Sequence, residues 1–431
     1  MVYAPRAAEK IRKGECDGFF SSLCLADGET IEKQRERYAG AIEKFGRHYG
    51  AERNISVYSV PGRVELCGNH TDHNNGLVMA AAVNLDIVAV VSKSDGEVIR
   101  LRSYGFPYED AVDLSFLEPD PGEFGKSSAI IRGVAAAFRD RGGKCGAFDA
   151  YTVSDVLKGS GLSSSAAFEV CVGLILNGEY NEGRFDAVTL GMMGQSSENK
   201  FFGKPSGLMD QIACSVGGAV SIDFEDPSAP VVRKIPLDLS RYGIHLVVTD
   251  TKGDHSDLTD EYSAIRSEME SVADFFGKRC LREVDCENFK ARIAEVRQKT
   301  GDRAIARAIH FFDECERVLS VEDIVERGDI ERFLGLMIEC GHSSFEFNQN
   351  AYSIRTPDRQ GVTLALAVSQ RILKGKGAWR LQGGGFAGTV QAFVPDALLD
   401  EYCGAMCGLF GEGACHVLQI RQKGCAELRL D

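Results

Sequence analysis

The string Gly159-Ser160-Gly161-Leu162-Ser163-Ser164-Ser165-Ala166-Ala167 passes without a break into a segment, 163 to 180, whose apolar residues recur at helical spacing. Glycines ahead of a helix let the backbone come close to a ligand. The unpaired N–H groups of the first turn point at that ligand, and the helix dipole favours negative charge there. A chain with this string folds so that a helix start faces a cleft. The successive serines add hydroxyls that cap the helix, bond phosphate oxygens or ligate Mg2+. A capped helix with small residues for close packing is an equal alternative on this string alone. The string is neither a Walker loop nor GxGxxG, which sets aside two common nucleotide folds.

At 431 residues the chain is longer than one compact core usually supports, so two domains flanking a cleft are expected. Hydrophobic residues make up 44% and charged ones 26%, an ordinary globular balance. The net charge of −14, without Lys/Arg blocks, speaks against a nucleic-acid or anionic-membrane surface. The 14 cysteines are scattered without CxxC pairs, the closest being Cys403 and Cys407, and read as reduced thiols of a cytoplasmic protein. The first residues have no apolar signal region, and the most apolar run is interrupted by Asn84 and Asp86, so no membrane span is expected.

Periodicity sets the coarse organisation. Residues 29 to 49 read as a surface helix, preceded by an appended helix and loop. From Ile55 to Arg102, β-branched runs punctuated by Gly and Asn read as a sheet. Residues 126 to 141 and 163 to 180 read as helices, and so does the stretch from Asp257 to Phe276. A bend rich in Pro, Asp and Ser at 223 to 231 suggests a boundary, which gives an extension at 1–28 and domains at 29–225 and 226–431.

Three further clusters are rich in chemistry. Residues 62 to 76, GRVELCGNHTDHNNG, carry hydrogen-bonding side chains fenced by glycines, a pattern suited to a small polar ligand or to plain turn chemistry. Ser197-Glu198-Asn199 and Gly203 to Gln211 put two acids on either side of a turn. One acid can hold a metal while the other takes a proton, or they serve as a helix end and an N-cap. The last cluster is Gly383-Gly384-Gly385-Phe386-Ala387-Gly388-Thr389.

In their order along the chain, GRVELCGNHTDHNNG, KGSGLSSSAA, GLMDQ, HSDLTDEYSAIR and LQGGGFAGT resemble the motifs of the galactokinase family of GHMP small-molecule kinases, over roughly residues 30 to 431. The resemblance implies an α+β, two-domain GHMP kinase fold with the active site in the cleft between the domains. It implies transfer of phosphate from ATP, with Mg2+, to the anomeric hydroxyl of a monosaccharide, galactose first of all. By resemblance Asp210 is the catalytic base and Arg63 the cation that keeps it ionised. Asn69, His70, Asp72, Gly207 and Tyr262 fall on sugar-binding positions. Gly159, Ser160, Gly161, Leu162, Ser163, Ser164, Ser165 and Ala166 wrap the nucleotide phosphates, and Ser165 and Glu198 match the metal ligands. Sugar and ATP are the only partners implied, and a monomer is slightly favoured.

The chain departs from the family pattern at a few positions. Asn69 stands where the family carries Glu against the sugar's hydroxymethyl oxygen, which opens arabinose, galacturonate or an amino sugar as other substrates. His73, Glu65 and Leu157 replace the usual Tyr, Asn and Pro. A catalytically silent sugar and ATP sensor is the alternative from another class. The complete Ser-Ala element and the presence of Asp210, Glu198 and Arg63 argue for an active kinase.

Overall fold

The computed structural model describes residues 2–23, 28–156, 161–253, 258–386 and 388–430. A short strand β1 (Val2–Tyr3) and helices α1 (Ala4–Arg12) and α2 (Asp17–Leu23) precede α3 (Gly28–Tyr49). The first residues thus hold two helices where the sequence suggested one helix and a loop. Ala7, Ala8 and Ile11 of α1 lie on one stripe and pack on Ala41, Ile42 and Phe45 of α3.

Strands β2 (Asn54–Cys67) and β3 (Leu77–Lys93) form a long hairpin, buried on both faces along most of its length, and its connection is the polar stretch 68 to 76. After it come β4 (Val98–Ser103), β5 (Glu109–Asp113), α4 (Ser127–Asp140), β6 (Phe148–Ser154), α5 (Ser164–Asn181), α6 (Ala187–Ser197), α7 (Met209–Val216), β7 (Ala219–Asp223) and β8 (Val231–Ile235). Among the described residues the first sheet runs β1-β2-β3-β6-β4-β5, with β7 and β8 added beside the loop end of β3. Only β4 and β6 pair in parallel. The bend at 223 to 231 is therefore the β7–β8 connection inside this sheet, and the chain passes to the second sheet between Ile235 and Ile244.

The second sheet, β10-β11-β9-β12 in order, is antiparallel and comprises β9 (Ile244–Asp250), β10 (Ala378–Gln382), β11 (Thr389–Pro395) and β12 (Cys415–Leu418). Between β9 and β10 lie α8 (Thr259–Phe275), α9 (Cys286–Thr300), α10 (Asp302–Arg327), α11 (Ile330–Ser343) and α12 (Gly361–Leu373), while α13 (Leu399–Phe410) follows β11. The last strand, β13 (Ala426–Leu428), returns to pair with β2. This mixture of antiparallel sheets and covering helices is the α+β class expected.

The tail is fastened by Asp86 of β3. Its carboxylate accepts from Tyr38 Oη at 3.0 Å and Arg421 Nη1 at 2.9 Å, and also from Arg37 and Ser59. Four groups from three stretches of chain, α3, β2 and the tail, thus meet on one buried acid. The cysteines among the described residues are free thiols. Among the described residues no helix is long and apolar enough to cross a membrane.

Candidate functional site

At Arg63 the β2–β3 register shifts, between Pro61 and Arg63, and such a bulge re-aims the side chain that follows it. A Cβ on Gly62 would lie 2.7 Å from the carbonyl oxygen of Leu162, so only glycine lets β2 come this close to the glycine-serine string. Arg63 N–H donates to that carbonyl at 3.1 Å. The Arg63 guanidinium grips Asp210, Nε to Oδ1 and Nη2 to Oδ2, each at 2.7 Å, while Nη1 donates to Gly161 O.

Asp210 lies in the first turn of α7, and its side chain is 31% exposed. Burial by itself would push the carboxyl up. Arg63, Ser163 and Lys204 more than offset it and hold Asp210 below the usual carboxylate range. The group is therefore a standing anion that can receive a proton. Ser163, with φ 58°, precedes α5 in the left-handed region and its Oγ donates to Asp210 Oδ2. This hydroxyl is turned to the carboxylate, a partner that the sequence did not suggest.

A cavity of about 640 Å³ opens on Asp210, with Glu65, His70, Asp72, Gly207 and Tyr262 around it. His70, at φ 61°, donates from Nε2 to Gly384 O at 2.9 Å, which leaves Nδ1 as an acceptor. Burial, and after it the neighbouring His73, lowers the His70 pKa to about 3, so the ring is neutral at physiological pH. Asp72 starts a short 3₁₀ turn and accepts from His73 N–H at 3.0 Å. Gly207 backs onto it so tightly that a Cβ there would sit 1.8 Å from Asp72 Oδ2.

A second cavity, of about 500 Å³, is lined by Tyr104, Phe106, Tyr108, Phe168 and Phe202 and shares Ser165 and Glu198 with the first. A polar cavity and an aromatic one thus meet at two oxygen-bearing side chains. Glu198 is buried at the start of a π-turn (Glu198–Phe202) and accepts from Lys204 Nζ at 2.9 Å and Gln211 Nε2 at 3.2 Å. Gln211 Nε2 also donates to Glu169 Oε2 at 2.9 Å, and the other Glu169 oxygen and Gln211 Oε1 are buried without a hydrogen-bond partner among the described residues. Burial, then the Glu198 charge, raises the Glu169 carboxyl well above its usual range. Hard oxygen donors with open valences suit Mg2+, so this donor set fits that ion.

Gly159 and Ser160 lie outside the described residues, as do Leu157, Lys158 and Ala387. Ser164 and Ser165 line the aromatic cavity and Gly161 is partly exposed, whereas Leu162 and Ala166 turn their side chains into the core and can offer a ligand only backbone. Tyr262 Oη donates to Gly385 O at 2.7 Å and its ring meets Phe386 edge-on, with centroids 5.2 Å apart.

Asn69 differs most from expectation. It is fully buried, and Nδ2 donates to Glu65 Oε1 and to Gly383 O, each at 2.9 Å. Its Oδ1 accepts from Asn350 at 2.8 Å, with Ser344 and Asn348 at 3.4 Å. The amide lines the cavity but is committed to protein partners, which leaves the neighbouring Glu65 carboxylate with more hydrogen-bonding capacity for a ligand. Its partner Glu65 pairs with buried Arg380 at 2.7 Å, and even so burial keeps its carboxyl above the usual range.

Sequence reasoning missed the aromatic cavity and the pair Glu169 and Gln211. The aromatic run Tyr104-Gly105-Phe106-Pro107-Tyr108 was a usable signal. Nothing local marked Glu169, which sits inside an apolar helix.

Residues 43–93 match the galactokinase galactose-binding signature, and residues 129–218 match the GHMP kinases N terminal domain. The chain is similar to the galactokinase of Streptomyces coelicolor, at 35% identity over 85% of this chain and 91% of that protein. It is similar at 32% identity to the galactokinase of Actinobacillus pleuropneumoniae serotype 5b, over 84% of this chain and 90% of that one. Among solved structures, Lactococcus lactis galactokinase complexed with galactose superposes with a TM-score of 0.77 at 22% identity, over 89% of this chain and 98% of that one. Methanococcus jannaschii mevalonate kinase superposes with 0.58 at 15% identity, over 85% and 98%. At these identities the two structures speak for the fold.

Proposed function

This chain belongs to the galactokinase family of GHMP kinases, and from that premise we propose that it transfers the γ-phosphoryl group of ATP to the anomeric hydroxyl of galactose. The supporting observation is the ionised pair Asp210–Arg63 beside the place where a polar and an aromatic cavity meet. In this reading the sugar occupies the polar cavity and the base of the nucleotide the aromatic one. The phosphates then lie along Gly161, Ser164 and Ser165 at the start of α5.

The anomeric oxygen attacks the γ-phosphorus, the bond to the β–γ bridging oxygen breaks, and ADP leaves. The hydroxyl proton passes to Asp210, a weak base in the ground state that takes it as the forming ester bond makes the hydroxyl acidic. Arg63 and Ser163 fix the carboxylate by three hydrogen bonds, so orientation is established before the sugar arrives. Ser165 and Glu198, with Glu169 close by, would hold Mg2+, which when bound neutralises charge on the phosphate oxygens. Asp72 and the free Nδ1 of His70 accept sugar hydroxyl protons.

ADP release by the purified protein with Mg-ATP, measured with galactose, arabinose, galacturonate, galactosamine and glucose, tests the reading. Turnover highest with galactose is the expected result. Binding of sugar and ATP without turnover would instead indicate a sensor.

A further inference from the structure

Asn69 has no hydrogen-bonding valence left for a ligand, since both donors and the acceptor of its amide have protein partners. The adjacent carboxylate differs. Glu65 Oε1 accepts from Arg380 and Asn69, but among the described residues Oε2 has only the longer 3.2 Å contact to Asn69 Nδ2. A carboxylate oxygen takes two such bonds, so one lone pair remains. Glu65 is 3% accessible and Asn69 0%, and both line the polar cavity, so on this wall the carboxylate is the group with hydrogen-bonding capacity left for a ligand. Arg63 and Glu65 are alternate residues of β2 and share a face of the strand, so the reaction end and this wall stand about 7 Å apart on one rigid element.

We infer that Glu65 is a substrate-binding residue whose carboxylate accepts a hydrogen bond from a sugar hydroxyl remote from the anomeric carbon, with Asn69 and Arg380 as the groups that position it. The inference rests on the proposed sugar-kinase reading and adds the chemistry of the wall. An acceptor-only, anionic group selects a hydroxyl and rejects a carboxylate at the same place, so a uronic acid is disfavoured. Arg380 is held in turn by the carbonyl oxygens of Glu65, at 3.1 Å, and of Leu66, which stops the carboxylate from swinging away. Gly383 O, on the opposite glycine cluster, fixes the Asn69 amide from the other side.

The test is Glu65→Gln, assayed with galactose and with the 2-, 3-, 4- and 6-deoxygalactoses. The expected result is a galactose KM raised about tenfold or more with kcat within about threefold, a penalty that disappears for the one analogue lacking the bonded hydroxyl. An unchanged KM, or the same penalty with every analogue, would overturn the inference. Because the substitution also removes Arg380's charge partner, a crystal structure of the unaltered protein with galactose provides the second reading. A sugar hydroxyl within about 3.2 Å of a Glu65 carboxylate oxygen supports it, and a sugar bonded to the Asn69 amide with none on Glu65 refutes it. Turnover of galactose by the unaltered protein is scored separately, so a failed kinase reading is not confused with a failed role for Glu65.

Discussion

Arg63 and Asp210, 147 residues apart in the chain, face each other fork to fork with both hydrogen bonds at 2.7 Å. Such a bidentate pair fixes the plane of the carboxylate as well as its charge. A lysine at 63 offers a point charge without the fork. Arg63→Lys should therefore lower kcat/KM by about 10²- to 10³-fold, the range seen when one preorganised donor is removed. Arg63 holds the Asp210 carboxyl down against burial. Loss of the fork raises that pKa, so the acid limb of the kcat/KM profile should move to higher pH in the variant.

Gly207 lines the polar cavity directly against Asp72. Gly207→Ala places a methyl group 1.8 Å from Asp72 Oδ2 and forces that carboxylate aside. The expected outcome is a galactose KM raised about tenfold with a smaller change in kcat, since what is lost is ground-state binding. Steady-state kinetics with saturating ATP will show the split.

Sugar binding should be flat with pH between 5 and 8 as far as His70 is concerned. Burial, reinforced by His73, places its pKa at about 3, well below that window, so the ring stays neutral throughout. Calorimetric titration of galactose at pH 5, 6.5 and 8 checks this, and a proton uptake assigned to His70 within the window would count against it.

Asp86 should dominate the stability of the first sheet. Asp86→Asn leaves buried Arg421 without its anion and Arg37 with Asp155 alone, and breaking a buried pair costs about 3–5 kcal/mol. Burial pushes the Asp86 carboxyl up, but Arg37 and Arg421 more than offset it and the folded pKa is lowered. The stabilisation is therefore present above the unfolded-state value of about 3.9 and lost as pH falls through the lower folded value. Urea midpoints of parent and variant should differ widely at pH 7 and draw together in that acid range.

What the sequence made legible was local. The helix of 29 to 49, the strands after Ile55 and the helix following the serines depend on periodicity within one segment, and each is found there. The pairing of Arg63 with Asp210 followed from the family resemblance, because each residue stands in its own short motif. The fate of Asn69 was not legible, since its partners Asn350 and Gly383 lie 281 and 314 residues away. The Ser163 hydroxyl's partner was hidden for a related reason: its left-handed backbone turns the hydroxyl toward Asp210, 47 residues away, and not into a helix cap. The aromatic cavity draws on β4, α5 and the turn after α6, and no single stretch reveals it.

The central claim is that Asp210 takes the proton of the attacking hydroxyl. Asp210→Asn keeps the shape and a partner for Ser163 while removing the basic oxygen pair, so the decisive measurement is its single-turnover rate with Mg-ATP and galactose, alongside the affinity for each ligand. A rate lowered by about 10²- to 10⁴-fold with both affinities within a few-fold of the parent is the predicted result. A variant that transfers phosphate at close to the parent rate would contradict the account.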